Sequence, residues 1–279
     1  MDKPAGMTSH DVVAILRKRL GERRVGHAGT LDPDATGVLV IGVGRVARLL
    51  RFIEIHEKEY VAEVVFGTET TTQDASGDVV AEHDASALTS PEVERAAAAL
   101  TGEIEQVPPM VSAVKVGGER LYRKARRGEE VERTARRIVV HAFEVEEFTP
   151  GARASARMRV RCSRGTYVRT LAHDLGRALG VGGHVSALRR VRVGPFAEEV
   201  AIMPDAVSEA DLRPALDAVT WYPRREVSGA DATAMVQGKP LESAGVEGPY
   251  AVVSGGVLVA MAEDRDGEAR SICVVGGPA

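Results

Sequence analysis

The stretch that most constrains the fold is residues 24–44, RVGHAGTLDPDATGVLVIGVG, in which an Asp-Pro pair lies between glycines and precedes an apolar run. Pro33 pushes Asp32 out of helical backbone angles, and Gly29 and Gly37 allow the chain to bend on either side. The pattern predicts a sharp loop that fixes the direction of one carboxylate and then enters a strand. Locally, this loop is either an ordinary polar turn or a site where the carboxylate acts.

Composition limits the class of protein. With 279 residues, 44% of them hydrophobic, the chain can bury a sizeable core as one large domain plus a small one. The start has no apolar signal region, and the longest apolar run is far short of the roughly 20 residues of a membrane span, so we expect a soluble cytoplasmic protein. The two cysteines, Cys162 and Cys273, are far apart and form neither a disulfide framework nor a Cys-x-x-Cys metal or redox motif, and the histidines lack zinc-type spacing. The sequence therefore indicates no metal, and only a metal held by residues distant in sequence stays open.

Charge is distributed unevenly along the chain, although the net charge is only −4. Residues 153–195 hold ten Arg against the single acid Asp174, and residues 108–139 hold nine Lys or Arg against four acids. Residues 61–107 and 196–279 are acidic. Two basic stretches on an acidic protein are either ordinary solvated surface or a phosphate-binding face. Their Arg preference and interleaved tyrosines favour an RNA partner, because guanidinium planes and aromatic rings stack on bases.

The pattern of polar and apolar residues predicts alternating short elements. Helices are expected over 10–20, capped by Ser9 or Thr8, over 91–100, capped by Ser90, and over 168–179. Strands are expected over 38–42, 60–66, 138–147, 155–162 and 191–194.

The fold class predicted from these elements is mixed α/β (α+β), with a largely antiparallel mixed sheet, because regular β-α-β alternation is missing. A composition change near residue 220 predicts a large domain over 1–220 and a small β-rich domain over 221–279.

Several separated motifs together resemble the bacterial TruB-type tRNA pseudouridine synthases. They are Asp2-Lys3-Pro4 with Gly6 and Ser9; Gly26-His27 with Gly29-Thr30-Leu31-Asp32-Pro33, Ala35 and Gly37; Lys58 and Tyr60 with Gly67, Thr70, Thr72, Asp74 and Gly77; and Cys162-Ser163 with Gly165-Thr166-Tyr167-Val168-Arg169. A fifth runs from Pro108-Pro109 through Ser112-Ala113, Lys115 and Gly118 to Leu121-Tyr122, Ala125-Arg126 and Gly128. The match extends in order from residue 2 to about residue 195.

The resemblance implies a pseudouridine synthase catalytic fold, an RNA-binding thumb segment at about 108–137, and a C-terminal domain similar to the PUA RNA-binding module. Family members usually carry a few apolar residues before the Asp2-Lys3-Pro4 motif. The resemblance therefore implies an N-terminal strand that this sequence either lacks or supplies differently.

The resemblance also assigns site residues. It makes Asp32 the nucleophile or base, pairs Arg169 with this carboxylate, and places Tyr60 against the extruded uracil. Contacts with RNA are implied for Lys3, His27, Asp74, Tyr167, Lys115, Arg123, Arg126 and Arg127. Asp34 lies at a position that the family motif leaves free, and we assign it no chemistry.

The implied function is isomerisation of the uridine at position 55 in the T arm of tRNA to pseudouridine, after the base is flipped out of its stack. This reaction needs no cofactor, and we expect neither an obligate protein partner nor a membrane. Three alternatives stay open. They are a guide-RNA-dependent pseudouridine synthase, a non-catalytic RNA-binding module and a hydrolase with an Asp nucleophile.

Overall fold

The computed structural model describes residues 1–112, 115–116, 118–120, 127, 129 and 131–276. Its α-helices are α1 (Ser9–Arg19), α2 (Leu50–Glu54), α3 (Ser90–Ala99), α4 (Val168–Ala178) and α5 (Gly229–Val236). Helix α2 directly follows a 3-10 helix over Gly44–Leu49. Among the described helices, none combines the length and apolar character that a membrane crossing requires.

Short strands make up most of the remaining regular structure. Up to residue 106 they are β1 (Asp2–Lys3), β2 (Val25–Ala28), β3 (Thr36–Val38), β4 (Val40–Val43), β5 (Lys58–Phe66), β6 (Thr68–Thr70), β7 (Val79–Glu82) and β8 (Gly102–Gln106). They continue with β9 (Lys115–Val116), β10 (Glu119–Arg120), β11 (Arg136–Thr149), β12 (Ser155–Cys162), β13 (Gly183–Val193), β14 (Phe196–Ala197), β15 (Arg224–Glu226), β16 (Leu241–Glu242), β17 (Tyr250–Ser254), β18 (Val257–Arg265) and β19 (Glu268–Val274).

Contacts divide the chain into two compact units. The first unit contains residues 1–33, 39–55 and 201–279, and the second contains residues 34–38 and 56–200. The domain boundary near residue 220 stays a prediction.

The second unit is built on one mixed sheet with strand order β3-β13-β5-β12-β11-β8, and β14 pairs with β13. The β3–β13 pairing is parallel, and the other pairings are antiparallel. Helix α4 packs against β13 and buries Val168, Leu171 and Leu175. The predicted fold class, a largely antiparallel mixed sheet with helices, is confirmed.

The first unit contains the β2–β4 hairpin and a five-stranded sheet with order β15-β17-β18-β19-β16. Helix α5 packs on this sheet, and Met235, Tyr250 and Val252 lie in its core. Asp264 connects this sheet to the preceding loop. Its carboxylate accepts hydrogen bonds from the Tyr250 hydroxyl at 2.7 Å, from the Ser243 hydroxyl at 2.7 Å and from the backbone N–H groups of residues 244 and 245. The expected small β-rich C-terminal module is therefore present.

Two helix starts show how the sequence encodes the helices. Thr8 caps α1 and Thr89 caps α3, each in a reciprocal capping box with the acidic residue three positions later, Asp11 or Glu92. Thr8 was one of the two expected caps. Ser90 was the wrong choice for α3, because Thr89 is followed at the right spacing by the carboxylate that completes the box.

The strand predicted over 38–42 is wrong in one respect. The chain forms two strands, β3 and β4, that pair in different sheets, and Leu39 lies between them. The Leu39 N–H donates to the Met1 carbonyl oxygen at 2.8 Å, and the Met1 ammonium donates to the Leu39 carbonyl oxygen at 3.0 Å. An apolar run cannot show such a change of partner, since every residue in it favours strand.

Candidate active site

The loop that carries Asp32 is fixed on its N-terminal side by Ser9, the first residue of α1. The Ser9 hydroxyl accepts a hydrogen bond from the Leu31 N–H at 2.9 Å and donates to the Leu31 carbonyl oxygen at 3.2 Å. Both Ser9 and Leu31 are buried. The residue before Asp32 therefore has both backbone polar groups bonded to one buried side chain, which sets the direction in which the loop leaves it.

Lys3 fixes the other side of the loop. Its ammonium is buried and donates to the carbonyl oxygens of Pro33 at 2.8 Å, Pro4 at 2.8 Å and Met7 at 2.6 Å. An ammonium has three donor protons, and a buried charge is stable only when it is hydrogen-bonded. The predicted contact of Lys3 with RNA does not fit this buried position, and we assign Lys3 to holding the residue after Asp32.

A third anchor lies at the start of the loop. Gly29 has a positive φ of 76°, a conformation that favours glycine, and its N–H lies 3.4 Å from a carboxylate oxygen of Glu54, the last residue of α2. Asp32 itself is half-buried. Its carboxylate thus lies on a loop held at Gly29, Leu31 and Pro33, which is more than a free polar turn requires.

His27 and Tyr60 lie on strands. His27 is half-buried in β2 and faces Ile41 of β4 in the hairpin register of the first unit. Tyr60 is buried in β5 of the second unit, and its backbone lies between Val160 and Arg190 in the sheet. Both residues therefore have backbones fixed by sheet pairing.

Arg169, in the first turn of α4, is buried with 4% of its surface exposed. One terminal nitrogen donates to the Thr72 carbonyl oxygen at 2.9 Å and lies 3.1 Å from a carboxylate oxygen of Asp74. The other terminal nitrogen donates to the Val111 carbonyl oxygen at 2.8 Å. The guanidinium is thereby held in one orientation within the second unit.

The Asp74 carboxyl, which pairs with this cation, is held by several hydrogen bonds from neighbouring residues. It accepts hydrogen bonds from the hydroxyls of Thr72 and Ser76, each at 2.6 Å, and from the Ser76 N–H at 3.0 Å. Burial disfavours the charged form, but these hydrogen bonds and the Arg169 charge outweigh it, so the pKa of Asp74 lies below its ordinary value. Asp74 is therefore ionised at neutral pH. From the sequence, Asp74 was expected near RNA, but its pairing with Arg169, 95 residues away, was not predicted.

Tyr167 is the N-cap residue of α4 and is half-buried. Its own side chain does not cap the helix. Instead, its backbone is bonded on both sides to the amide of Gln106, at 2.8 Å and 3.0 Å. The role of Gln106 was not predicted, because in the sequence Gln106 is only a polar residue shortly before Pro108-Pro109.

The second unit therefore brings together Asp74, Tyr167 and Arg169, whereas the first unit holds Lys3, His27 and Asp32. Of the residues that the resemblance assigns to a thumb, Arg127 forms an ion pair with Glu129 at 2.6 Å. Only the backbone of Lys115 is described, and Arg123 and Arg126 lie outside the described residues.

Most of the arginines in the basic stretch 153–195 are neutralised by carboxylates on neighbouring elements. Seven of the ten form ion pairs, and these are Arg153, Arg157, Arg159, Arg161, Arg169, Arg189 and Arg192. Arg159, for example, lies 2.7 Å from Glu59 and 2.6 Å from Glu146. The stretch as a whole is therefore not the free phosphate-binding face that its composition suggests.

A smaller basic group lies elsewhere. Arg45, Arg48 and Arg51 are spaced by three residues along the 3-10 helix and α2, and all three are exposed. Within the described part of the chain, none of them has a carboxylate at ion-pair distance. Arg51 donates to the Ile272 carbonyl oxygen at 2.5 Å, and Arg48 and Arg51 line a cavity of about 500 Å³ together with residues 271–274. This group was not predicted from the sequence, because three cations are too few to mark a basic segment.

Three family models together match residues 17–219 and 222–276 of the chain. The model for the N-terminal domain of TruB family pseudouridylate synthases matches residues 17–168. The models for the tRNA pseudouridylate synthase B C-terminal domain and the tRNA pseudouridine synthase II C terminus match residues 169–219 and 222–276.

Relatives and solved structures agree with these matches. The tRNA pseudouridine synthase B of Thermobifida fusca (strain YX) is 47% identical over 285 residues, which cover 99% of this chain and 97% of that protein. That of Symbiobacterium thermophilum is 53% identical over 238 residues, or 85% of this chain and 80% of that protein. A chain in the crystal structure of a Cbf5-Nop10-Gar1 complex superposes with a TM-score of 0.74 at 29% identity, covering 99% of this chain and 84% of that chain. The chain belongs to the TruB family of pseudouridylate synthases.

Proposed function

We propose that this protein is a tRNA pseudouridine synthase that isomerises the uridine at position 55 in the T arm. The family membership and the relatives named tRNA pseudouridine synthase B support the reaction and the class of RNA. The observation that carries the catalytic assignment is the half-buried Asp32 carboxylate on a loop anchored at Gly29, Leu31 and Pro33.

The reaction breaks the bond between N1 of uracil and C1′ of ribose and forms a bond between C5 and C1′. The proton on C5 is removed and N1 is protonated, so atoms balance without an added cofactor. Asp32 is the nucleophile or base beside the ribose. Anchoring matters because an approach direction that is fixed before the substrate binds removes part of the entropic barrier.

The residues of the second unit have supporting roles in this proposal. By the resemblance, Arg169 supplies the positive charge that keeps the Asp32 carboxylate ionised. Asp74 holds the guanidinium of Arg169 in place. Tyr60 contacts the extruded uracil, where its ring stacks on the base or its hydroxyl assists removal of the C5 proton.

Contacts with the RNA are assigned to residues with exposed or half-exposed positions and to the thumb. His27 and Tyr167 support the opened loop. Arg45, Arg48 and Arg51 contact phosphates, since they are cations without carboxylate partners among the described residues. The thumb residues Lys115, Arg123, Arg126 and Arg127 close on the RNA, as the resemblance implies.

The enzyme acts in the cytoplasm on the T arm and without an obligate protein partner. A guide-dependent enzyme is the main alternative, since solved structures of similar fold include a Cbf5-Nop10-Gar1 complex and an H/ACA RNP bound to a substrate RNA. Turnover by the purified chain alone separates the two, because a guide-dependent enzyme would need added RNA and proteins.

The test is to incubate the purified chain with unmodified tRNA and map pseudouridine along it. A matched tRNA with cytidine at position 55 is the control. We expect a single pseudouridine at position 55 and none in the control. Modification at another position, or turnover only when guide RNA or partner proteins are added, would contradict the proposal.

A further inference from the structure

Gln106, the last residue of β8, makes a closed pair of hydrogen bonds with the backbone of Tyr167. Its side-chain oxygen accepts from the Tyr167 N–H at 2.8 Å, and its side-chain nitrogen donates to the Tyr167 carbonyl oxygen at 3.0 Å. The orientation of the amide is determined, because a backbone N–H can only donate and a carbonyl can only accept. Gln106 is 2% exposed, so water does not compete for these bonds.

The position of this pair gives it consequences for α4. Tyr167 is the N-cap residue, and its carbonyl oxygen also accepts the first helical hydrogen bond, from the Leu171 N–H at 3.1 Å. Since Tyr167 provides no side-chain cap of its own, the Gln106 amide fixes the angle at which the chain enters the helix. Arg169 lies two residues further on, in the first turn.

The residues after Gln106 make a second connection to the same turn. Val111, five residues later, accepts a hydrogen bond from the Arg169 guanidinium at 2.8 Å. Pro108 accepts one from Arg133 at 3.1 Å. The end of β8 and the segment that follows it therefore hold both the backbone of Tyr167 and the side chain of Arg169.

We propose that Gln106 is a positioning residue for the pseudouridine reaction, acting through Tyr167 and Arg169. The inference rests on the proposed function, because it assigns Gln106 to the site that carries out that reaction. Only a group with one donor and one acceptor in a planar fork can satisfy both backbone atoms of Tyr167 at once. A carboxylate lacks the donor, and an apolar side chain of the same length lacks both.

Two variants test this role, with Glu105→Met as the control at the neighbouring, exposed position of the same strand. In single-turnover assays at saturating tRNA, we expect Gln106→Met to lower the rate of pseudouridine formation by about tenfold or more. Binding of tRNA should change by less than threefold. Glu105→Met should keep both quantities at wild-type values.

Gln106→Glu adds a second measurement, the pH dependence of the rate relative to wild type, which a merely structural role would not change. The introduced carboxyl has a donor only when it is protonated, and burial raises the pKa of a carboxyl. The rate of this variant relative to wild type should therefore rise about tenfold or more between pH 8 and pH 6, whereas the relative rate of Gln106→Met should stay flat.

A wild-type rate in Gln106→Met, or a relative rate of Gln106→Glu that does not change with pH, would overturn the inference. If Gln106→Met fails to fold, the pH profile of Gln106→Glu decides alone. Absence of pseudouridine with the wild-type chain would instead contradict the proposed function, so the two failures are distinguishable.

Discussion

At the scale of single residues, Asp32 shows what sequence can and cannot predict. The Asp-Pro pair and its flanking glycines predict a carboxylate with a fixed direction. The anchors that fix it, Ser9 and Lys3, lie 22 and 30 residues from their loop partners. Local patterns of polarity do not report such contacts, because a buried serine or lysine resembles any polar residue until the fold supplies its partner.

Ser9→Ala tests the first anchor. The substitution leaves the backbone N–H and carbonyl of Leu31 without their buried partner, which costs about 1–3 kcal/mol of unfolding free energy. Turnover should fall as well, because the loop loses one constraint. Urea unfolding and a turnover assay measure the two effects. Ser90→Ala is the matched control at the first residue of α3, where, among the described residues, the hydroxyl donates to the exposed Glu94 carboxylate alone. Equal losses in both variants would contradict the anchoring role.

Asp74→Asn tests the partner of Arg169. Because the pKa of Asp74 is lowered in the folded state, its contribution to stability is present above the unfolded pKa of about 3.9 and is lost as the pH falls through the folded pKa. The melting temperature of the variant should therefore lie below that of wild type from pH 8 to pH 5, and the gap should narrow below about pH 4.

Turnover of Asp74→Asn should fall at least tenfold, since Arg169 loses its ion pair. Asp78→Asn, an exposed acid near the same turn, is the control and should leave melting temperature and turnover unchanged. A gap in melting temperature that widens on acidification would contradict the assigned direction of the pKa shift.

At the scale of elements, the sheet of the second unit explains why the charge pattern was misleading. Arg159 on β12 pairs with Glu59 on β5 and Glu146 on β11. Strands β5 and β12 are neighbours in space although Glu59 and Arg159 are 100 residues apart in sequence. A count along the chain separates acids from bases that the sheet brings together, so it overestimates the free positive charge.

Arginines without a carboxylate partner among the described residues are the ones that we expect to bind RNA. Arg45→Ala with Arg48→Ala should weaken tRNA binding about five- to tenfold and reduce the slope of log affinity against log salt by roughly 1.4–1.8, because each lost phosphate contact removes about 0.7–0.9. Neither side chain makes a hydrogen bond in the described part of the chain, so the fold should be unaffected.

The control for this pair is Arg157→Ala with Arg159→Ala, which removes the same charge from arginines that already have carboxylate partners. Filter binding of tRNA across a salt series measures both variants. Equal weakening by the two pairs would show that the total charge of the protein matters, and would contradict a local contact at Arg45 and Arg48.

At the scale of the whole molecule, the fold class, the family and the small C-terminal module were predictable, because they depend on many motifs in a fixed order. The break between β3 and β4 at Leu39 and the role of Gln106 were not predictable. Both depend on partners that are distant in sequence, Met1 and Tyr167. The candidate site was thus identified by residue types, and its geometry had to come from the structure.

We claim that Asp32 performs chemistry and is more than a turn residue. The turnover and the tRNA affinity of Asp32→Asn, measured on one preparation, test this. The amide keeps the size but is a very poor nucleophile and base. We predict that pseudouridine formation falls to background while tRNA affinity changes by no more than about tenfold, or roughly 1.4 kcal/mol. Asp34→Asn, two residues away and exposed, should keep both values. Near wild-type turnover by Asp32→Asn, or equal loss of binding and turnover, would contradict the claim.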